Sequence, residues 1–373
     1  MIQVKNFDYG NLNVLIHSYN DLAKDINLSK VAQYNNINLF SIVNLRNTIF
    51  KNTIFYNMEW SEENIEKYNN HSIIASLYKK IESIVIQEKI KILIWLGDPG
   101  ILSEDFLNRI KRYCYVSFWT FDDPVNSEKI VKHCAKYYYF GFTATVNWDK
   151  NVKTSEVFKK WGCPNANFIP MGVFEGKYKE TSNFDKRKYD LIFIGSVFRK
   201  RLIFMFKLKK YFGNRMLIFG GAWNGENSKW YKKIILLILK WYYNVPKIDK
   251  ISNDELIYYY QNSKIGINTH MTVGGPSSMR TYELPANGVM QICDSENGLK
   301  EIFEIGKEVA SFKNNDAKDA IKKIEYYLEN ESERITIAKA GYEKTHNQYM
   351  VWHSFEKILK LIKKDEKFSR YIN

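Results

Sequence analysis

Two doubly wound α/β domains, each built on a parallel sheet, are what the sequence predicts, and three observations predict them. Short apolar runs rich in β-branched and aromatic residues alternate with stretches of helical periodicity, the pattern of parallel strands covered by helices. A polar, charged segment, "FEGKYKETSNFDKRKY" (174–189), interrupts that alternation, which then restarts. The length, 373 residues, suits two domains of ordinary size.

In the first half, strands are expected in "NVLIHS" (13–18), "INLFSIV" (37–43), "IKILIWLG" (90–97), "CYVSFWTF" (114–121), "YYYFGFTA" (137–144) and "ANFIPMGV" (166–173). Between them, "SIIASLYKKIESIVIQ" (72–87) places apolar residues three and four apart, which reads as a helix. After the linker come "DLIFIGSV" (190–197), "RMLIFGGA" (215–222), "SKIGINTH" (263–270), "VMQICDS" (289–295) and "EVASFK" (308–313) as strands. Helices are expected at 319–330, 332–348 and 354–372. The domain bounds that follow are 1–177 and 186–350. Ligands of such sheets sit beyond the carboxyl ends of the strands.

Composition narrows the function. Hydrophobic residues make up 45% and aromatics 16%, enough for packed cores. The longest apolar run, "IILLIL" (234–239), lies between Lys233 and Lys240 and is far short of the roughly 20 residues of a membrane span. The N-terminus lacks a basic region followed by an apolar stretch, and the four cysteines are widely spaced, so a cytoplasmic protein with reduced thiols is expected. The net charge of +14 asks for an anionic partner. The lysines are scattered and no nucleic-acid motif is present, which points away from DNA or RNA. HExxH, Walker and GxGxxG patterns are missing, so protease, ATPase and nicotinamide chemistry lack their minimal parts.

The segment "VGGPSSMRTYELPANGVMQICD" (273–294) concentrates the binding chemistry. A helix opening near Ser277 or Ser278 would be serine-capped and would stop at Asn287-Gly288. Its first amides would favour an anion, and Gly274 and Gly275 would admit it without a Cβ in the way. Arg280 adds a charged fork matched to phosphate oxygens. Glu283, one turn on, can accept hydrogen bonds from ribose hydroxyls. The same residues also read as a Gly-rich turn, a capped helix and an Arg–Glu surface pair, and Pro285 implies a short or kinked helix. A second element, "DLIFIGSVFRKR", brings Gly195 and Ser196 to a strand end with Arg199 and Arg201 close behind. A third, "GINTH", adds Asn268 and His270 at a strand end beside the first.

From "YDLIFIGSV" onward the chain resembles the second domain of GT-B glycosyltransferases, nearest to the spore-maturation, CgeB-like branch. "FIGSVFRKR", "YYYQNSKIGINTH", "SSMRTYELPANGVMQICD", "LKEIFEIGKEVASFKNNDAKDAIKKIEYYLEN" and "ERITIAKAGYEKTHNQYMVWHSFEKIL" carry the resemblance, in order, over about 180 residues. It implies two Rossmann-like domains facing a central cleft, with a final helix (351–373) crossing back to the first. It implies a nucleotide-sugar donor, with Ser277, Ser278 and Arg280 on the diphosphate and Glu283 on the ribose. Ser196 and Arg201 would complete the phosphate site, and Met279 is counted with these residues.

Glycosyl transfer needs a stabilised diphosphate leaving group and, in an inverting enzyme, a base for the acceptor hydroxyl. Arginine and amides can supply the first without a metal, and the resemblance implies a metal-independent enzyme with no cofactor. "VSFWTFDDPV" ends a strand with Asp122 and Asp123, and the family carries a similar W-x-x-D-x-P segment. These are the candidate catalytic or acceptor-binding carboxylates; a plain turn is the competing reading, and "DDP" also mimics a metal motif. Asp98 in "WLGDPG" and His17 are further candidate bases, whereas His71, His133, His346 and His353 read as surface or packing residues.

"NSKWYKKIILLILKWYYNVPK" (227–247) carries an apolar helix with basic and aromatic ends. It suits either an ordinary buried helix or contact with an anionic membrane, where lipid-linked acceptors are met. The combined expectation is a bacterial, cytoplasmic glycosyltransferase, peripheral to the inner face of the membrane if that contact holds. It would act on a glycan, lipid-linked or protein acceptor in surface polysaccharide or lipopolysaccharide synthesis. A GT-B-like protein that binds nucleotide or glycan without turnover is the alternative.

Overall fold

The computed structural model describes residues 12–18, 37–43, 72–97, 102–122, 124–149, 151–174, 176–196, 199–221, 223–225, 229–270, 278–294 and 296–372. The chain divides into two compact units, one of Met1–Glu175 with Val351–Asn373 and one of Gly176–Met350.

The first unit holds a six-stranded parallel sheet of β1 (Leu12–Ser18), β2 (Ile37–Val43), β3 (Ile92–Leu96), β4 (Tyr115–Thr120), β5 (Phe140–Thr143) and β6 (Asn165–Phe168), ordered β2-β1-β3-β4-β5-β6. Strands β3 and β4 are buried along their whole length, as continuous apolar runs covered on both faces should be. The helices are α1 (Ser72–Gln87), α2 (Glu104–Ile110), α3 (Pro124–Val131) and α4 (Thr154–Lys160). Ser103 caps α2 by accepting from the Phe106 amide.

The second unit holds a five-stranded parallel sheet of β7 (Tyr189–Ile194), β8 (Met216–Phe219), β9 (Ser263–Asn268), β10 (Met290–Cys293) and β11 (Ala310–Ser311), ordered β11-β10-β9-β7-β8. Its helices are α5 (Arg199–Phe212), α6 (Trp230–Tyr243), α7 (Asn253–Gln261), α8 (Arg280–Ala286), α9 (Glu296–Leu299), α10 (Ala317–Glu329) and α11 (Glu331–Gln348). Ser252 and Glu255 close a capping box on α7, and Asp316 caps α10. Gly266, mid-strand in β9, lets α8 come close: a Cβ there would stand 2.3 Å from Leu284 Cδ2. That approach brings α8 against the strand whose end carries Asn268.

The last helix, α12 (Val351–Lys363), and the turn Glu366–Tyr371 belong to the first unit although they follow the second in sequence. Phe355 meets Trp119 edge to face with ring centroids 5.6 Å apart, and Ser354 Oγ donates to Pro170 O at 2.6 Å. Asp365 accepts from Tyr115 Oη at 2.5 Å and from Asn165 Nδ2 at 2.9 Å.

The expected strands form, shortened mostly at their ends, and 72–87 is helical as its periodicity predicts. All four cysteines are buried free thiols. Among the described residues no helix is long and apolar enough to cross a membrane.

Candidate functional site

Three neighbouring parallel strands of the second unit, β7, β9 and β10, end side by side, and their carboxyl ends assemble a buried polar cluster. Strand β9 lies between the other two, and its last residue, Asn268, pairs in register with Cys293 at the end of β10.

Asn268 is the hub. Its Nδ2 donates to Thr281 Oγ1 at 3.0 Å and to Gln291 Oε1 at 2.8 Å. Its Oδ1 accepts from Arg280 Nη1 at 3.1 Å and from Ser278 Oγ at 3.3 Å. Both donors and both lone pairs of the amide are thereby used.

Arg280 opens α8, is buried, and donates through Nε to Ile194 O at 2.7 Å. Its guanidinium lies 4.4 Å from the centre of the Phe193 ring. Gly195 makes room for it, because a Cβ at that position would stand 1.9 Å from Arg280 Nη2. The Gly195 carbonyl accepts from Trp223 Nε1 at 2.7 Å. Gly220, at φ +142°, packs on the same peptide, where a Cβ would lie 2.2 Å from that oxygen.

Arg201 joins two strand ends. Its Nε and Nη2 donate to Thr269 Oγ1 at 2.7 Å and Thr269 O at 2.5 Å, and Nη1 donates to Ser196 O at 2.7 Å. All three nitrogens tie the end of β7 to the end of β9. Burial, and then the nearby Arg280 charge, pull its pKa down to about 10. Ser196 is exposed at the rim, and Arg199 is the first residue of α5.

Ser278 does not cap the helix as the sequence suggests. Helix α8 begins at Arg280 with Met279 at its N-cap and no side-chain cap. The Ser278 hydroxyl turns instead to Asn268 and to His270 Nε2, 3.2 Å away, and His270 Nε2 is also 3.2 Å from Thr281 Oγ1. On its other side the His270 ring presents Nδ1 to Asp294 Oδ1 at 3.4 Å and to Cys293 Sγ at 3.5 Å, while its backbone amide donates to Asp294 at 2.8 Å. His270, Cys293 and Asp294 are buried, offer ligand atoms within 4.8 Å of one another, and are the group with spacing suited to a metal ion among the described residues.

Glu283 lies one turn after Arg280 and is buried. Burial pushes its carboxyl above the ordinary range, opposed by the charges of Lys177 and Arg280. Asn287 and Gly288 end the helix: Asn287 Nδ2 donates to Glu283 O at 2.9 Å, and Gly288 has φ +69°. Pro285 is accommodated near the end of this seven-residue helix.

The structure therefore brings together Gly195, Arg201, Asn268, His270, Ser278 and Arg280, with Met279 at the N-cap of α8 and Glu283 in its first turn. Ser277, Gly274 and Gly275 lie outside the described residues, as does the side chain of Arg199. Thr269, Thr281, Gln291 and Asp294 complete the cluster and were not singled out from the sequence. Their signal was position: Thr269 and Thr281 directly follow Asn268 and Arg280, Gln291 sits on the strand after α8, and Asp294 directly follows that strand.

In the first unit, Asp122 follows the end of β4. Thr120 Oγ1 donates to its carboxylate at 3.1 Å, and its carbonyl accepts from Thr145 Oγ1 at 2.8 Å and Ser127 Oγ at 3.3 Å. The carboxylate is half-buried and orientated by a hydroxyl. Asp123, Asp98 and the side chain of His17 lie outside the described residues.

Residues 199–360 match the family model described as glycosyl transferase-like. No curated protein matches the chain. Among solved structures, sucrose-phosphate synthase from Thermosynechococcus elongatus superposes with a TM-score of 0.64 at 11% identity, over 95% of this chain and 98% of that one. HepE from Anabaena in complex with UDP and glucose gives 0.62 at 9% identity, over 95% and 100%. A glycosyltransferase from Rickettsia africae gives 0.62 at 13% identity, over 98% and 100%. The fold is thus that of GT-B glycosyltransferase structures, two Rossmann-like parallel-sheet domains, and residues 199–360 are glycosyl transferase-like in sequence.

Proposed function

We propose that this protein transfers a glycosyl group from a nucleotide-diphosphate sugar to a hydroxyl of a glycan, lipid-linked or protein acceptor, in bacterial surface polysaccharide or lipopolysaccharide synthesis. The observation that carries the reading is the junction of Asn268, Ser278 and Arg280 at the carboxyl ends of β7 and β9, where α/β sheets bind ligands. A related fold in complex with UDP and glucose supports a nucleotide-sugar donor.

In this reading Ser196, Ser278 and Arg280 meet the diphosphate and stabilise it as it leaves, and Glu283 accepts from the ribose hydroxyls. Arg201 acts by fixing the Ser196 and Thr269 backbone. Asp122 or Asp123 takes the acceptor proton. No metal is given a part in the transfer. The subfamily we favour is the CgeB-like one, on the motifs from "FIGSVFRKR" onward. Localisation at the inner face of the cytoplasmic membrane belongs to the same proposal.

One observation favours the non-catalytic alternative. Three of the five Arg201 N–H donors already go to Thr269 and Ser196, which leaves at most two for a leaving group while the charge stays. Thermal shift against UDP, GDP, dTDP, ADP and CMP, each with and without EDTA, tests the donor site. A ligand at a hundred times its Kd adds about 2.7 kcal/mol, a shift of a few degrees. Stabilisation by one nucleotide regardless of EDTA supports the metal-free donor reading. No response to any nucleotide defeats it, and nucleotide binding without transfer to any glycan acceptor supports the alternative.

A further inference from the structure

We infer that α6 (Trp230–Tyr243) is a docking helix that lies flat on an anionic lipid surface. The inference deepens the proposed reading by naming the surface on which the acceptor is met, and it rests on that reading for this purpose alone.

The helix is apolar on the face it shows to solvent. Trp230 is 74% exposed, Leu237 66% and Trp241 82%, and Ile234, Ile235 and Ile238 are exposed with them. These positions recur three and four residues apart along the outer side. The inner side is a separate seam of Leu236, Leu239 and Tyr243, which packs on the core of the second unit. A helix that already buries one apolar face and leaves a second one open is suited to an interface between water and hydrocarbon. Exposed apolar side chains this concentrated mark a contact surface.

Its ends and rim identify the partner. Trp230 and Tyr231 stand at one end and Trp241 and Tyr242 at the other, all exposed, as side chains at headgroup depth are. Lys229 and Lys233 are exposed beside the first turns, and Lys210 on α5 sits 4.2 Å from the centre of the Tyr242 ring. A groove of about 780 Å3 next to Tyr243 is lined by Lys207, Lys210 and Lys318, against one carboxylate, Asp316. This basic border complements phospholipid headgroups in a chain of net charge +14. Fourteen residues rise about 21 Å, too short to span a bilayer, so the helix lies on the surface.

The test is co-sedimentation of the full chain with vesicles of phosphatidylglycerol and phosphatidylcholine, against vesicles of phosphatidylcholine alone. Binding to the anionic vesicles is expected, weakened by salt. The variant Leu237→Gln/Ile238→Gln/Trp241→Gln should bind at least about tenfold more weakly. Lys210→Gln/Lys229→Gln/Lys233→Gln should lose the preference for anionic lipid. All exchanged side chains except the Lys210 stem against Tyr242 are solvent-facing, so both variants should keep the wild-type melting temperature. Equal vesicle binding by wild type and the apolar variant overturns the inference. So does a wild-type dimer in sedimentation velocity that the apolar variant abolishes while neither binds vesicles, since the face then serves a second copy. The nucleotide panel reads the donor site independently, so a failure here with nucleotide binding intact leaves the transfer reading standing.

Discussion

Arg280 occupies the space that a side chain at Gly195 would need: its Nη2 lies 1.9 Å from where a Gly195 Cβ would stand. The strand-end glycine and the arginine of the following motif are thus two halves of one device, 85 residues apart in sequence (280 − 195).

Gly195→Ala should therefore act through Arg280. Overpacking of this kind costs about 1–3 kcal/mol, and nucleotide affinity should fall at least about tenfold if Arg280 carries the diphosphate. Gly221→Ala is the milder comparison, since its Cβ would meet the flexible end of Lys250 at 3.4 Å and Ser196 Oγ at 3.9 Å, both ordinary contact distances, and would not touch Arg280. Chemical denaturation and nucleotide titration of both variants check this; equal effects would remove the link.

Glu283 gives a pH dependence with a definite sign. Its folded pKa lies above the ordinary 4.5 because it is buried. Between those two values the folded protein binds more protons than the unfolded one, so stability falls as pH rises through the window. Glu283→Gln should thus raise the melting temperature more at pH 8 than at pH 4. Wild-type nucleotide affinity should rise with pH over the same window, as a ribose-accepting carboxylate ionises, and the variant should show a flat profile.

Thr281 was absent from the site expected from sequence, yet its hydroxyl meets Asn268, His270 and Ser278. Thr281→Val keeps the volume and leaves the Asn268 amide short of an acceptor, a loss of about 1–3 kcal/mol. Thr281→Ser should restore most of it. Urea unfolding of the pair decides.

Asp122→Asn should leave nucleotide affinity unchanged and lower kcat by about 10²–10⁴ if this carboxylate is the base. Retained activity, with the loss appearing in Asp123→Asn, would move the role one residue along.

The strands and the helix at 72–87 were legible because burial on two faces writes itself into local apolar patterning, whereas the polar stretch 174–189 hid that Phe184 and Arg187 are buried in the second unit. Asn268 and His270 were legible too, as polar residues where an apolar strand stops, and Arg280 as a cation behind a run of glycine, proline and serine. What the sequence hid was who partners whom. Arg201 reads as an anion ligand, and the structure adds acceptors from Thr269 and Ser196 on neighbouring strand ends, an adjacency that no local pattern reports. Ser278 reads as a cap by the same logic, and loses that part because Asn268 and His270 are close by. Helix α6 has an outer face as apolar as its inner one, so periodicity alone does not tell which side meets the protein.

Asp365, which accepts from Tyr115 and Asn165, is reached only after the second unit has been made. On the ribosome, the first sheet must wait through 175 further residues (176–350) before α12 arrives to cover Trp119 and Pro170. The second unit, by contrast, emerges as one uninterrupted stretch. Nascent chains should therefore complete the second unit first, and truncation before residue 351 should strand the first as an aggregation-prone, chaperone-dependent intermediate.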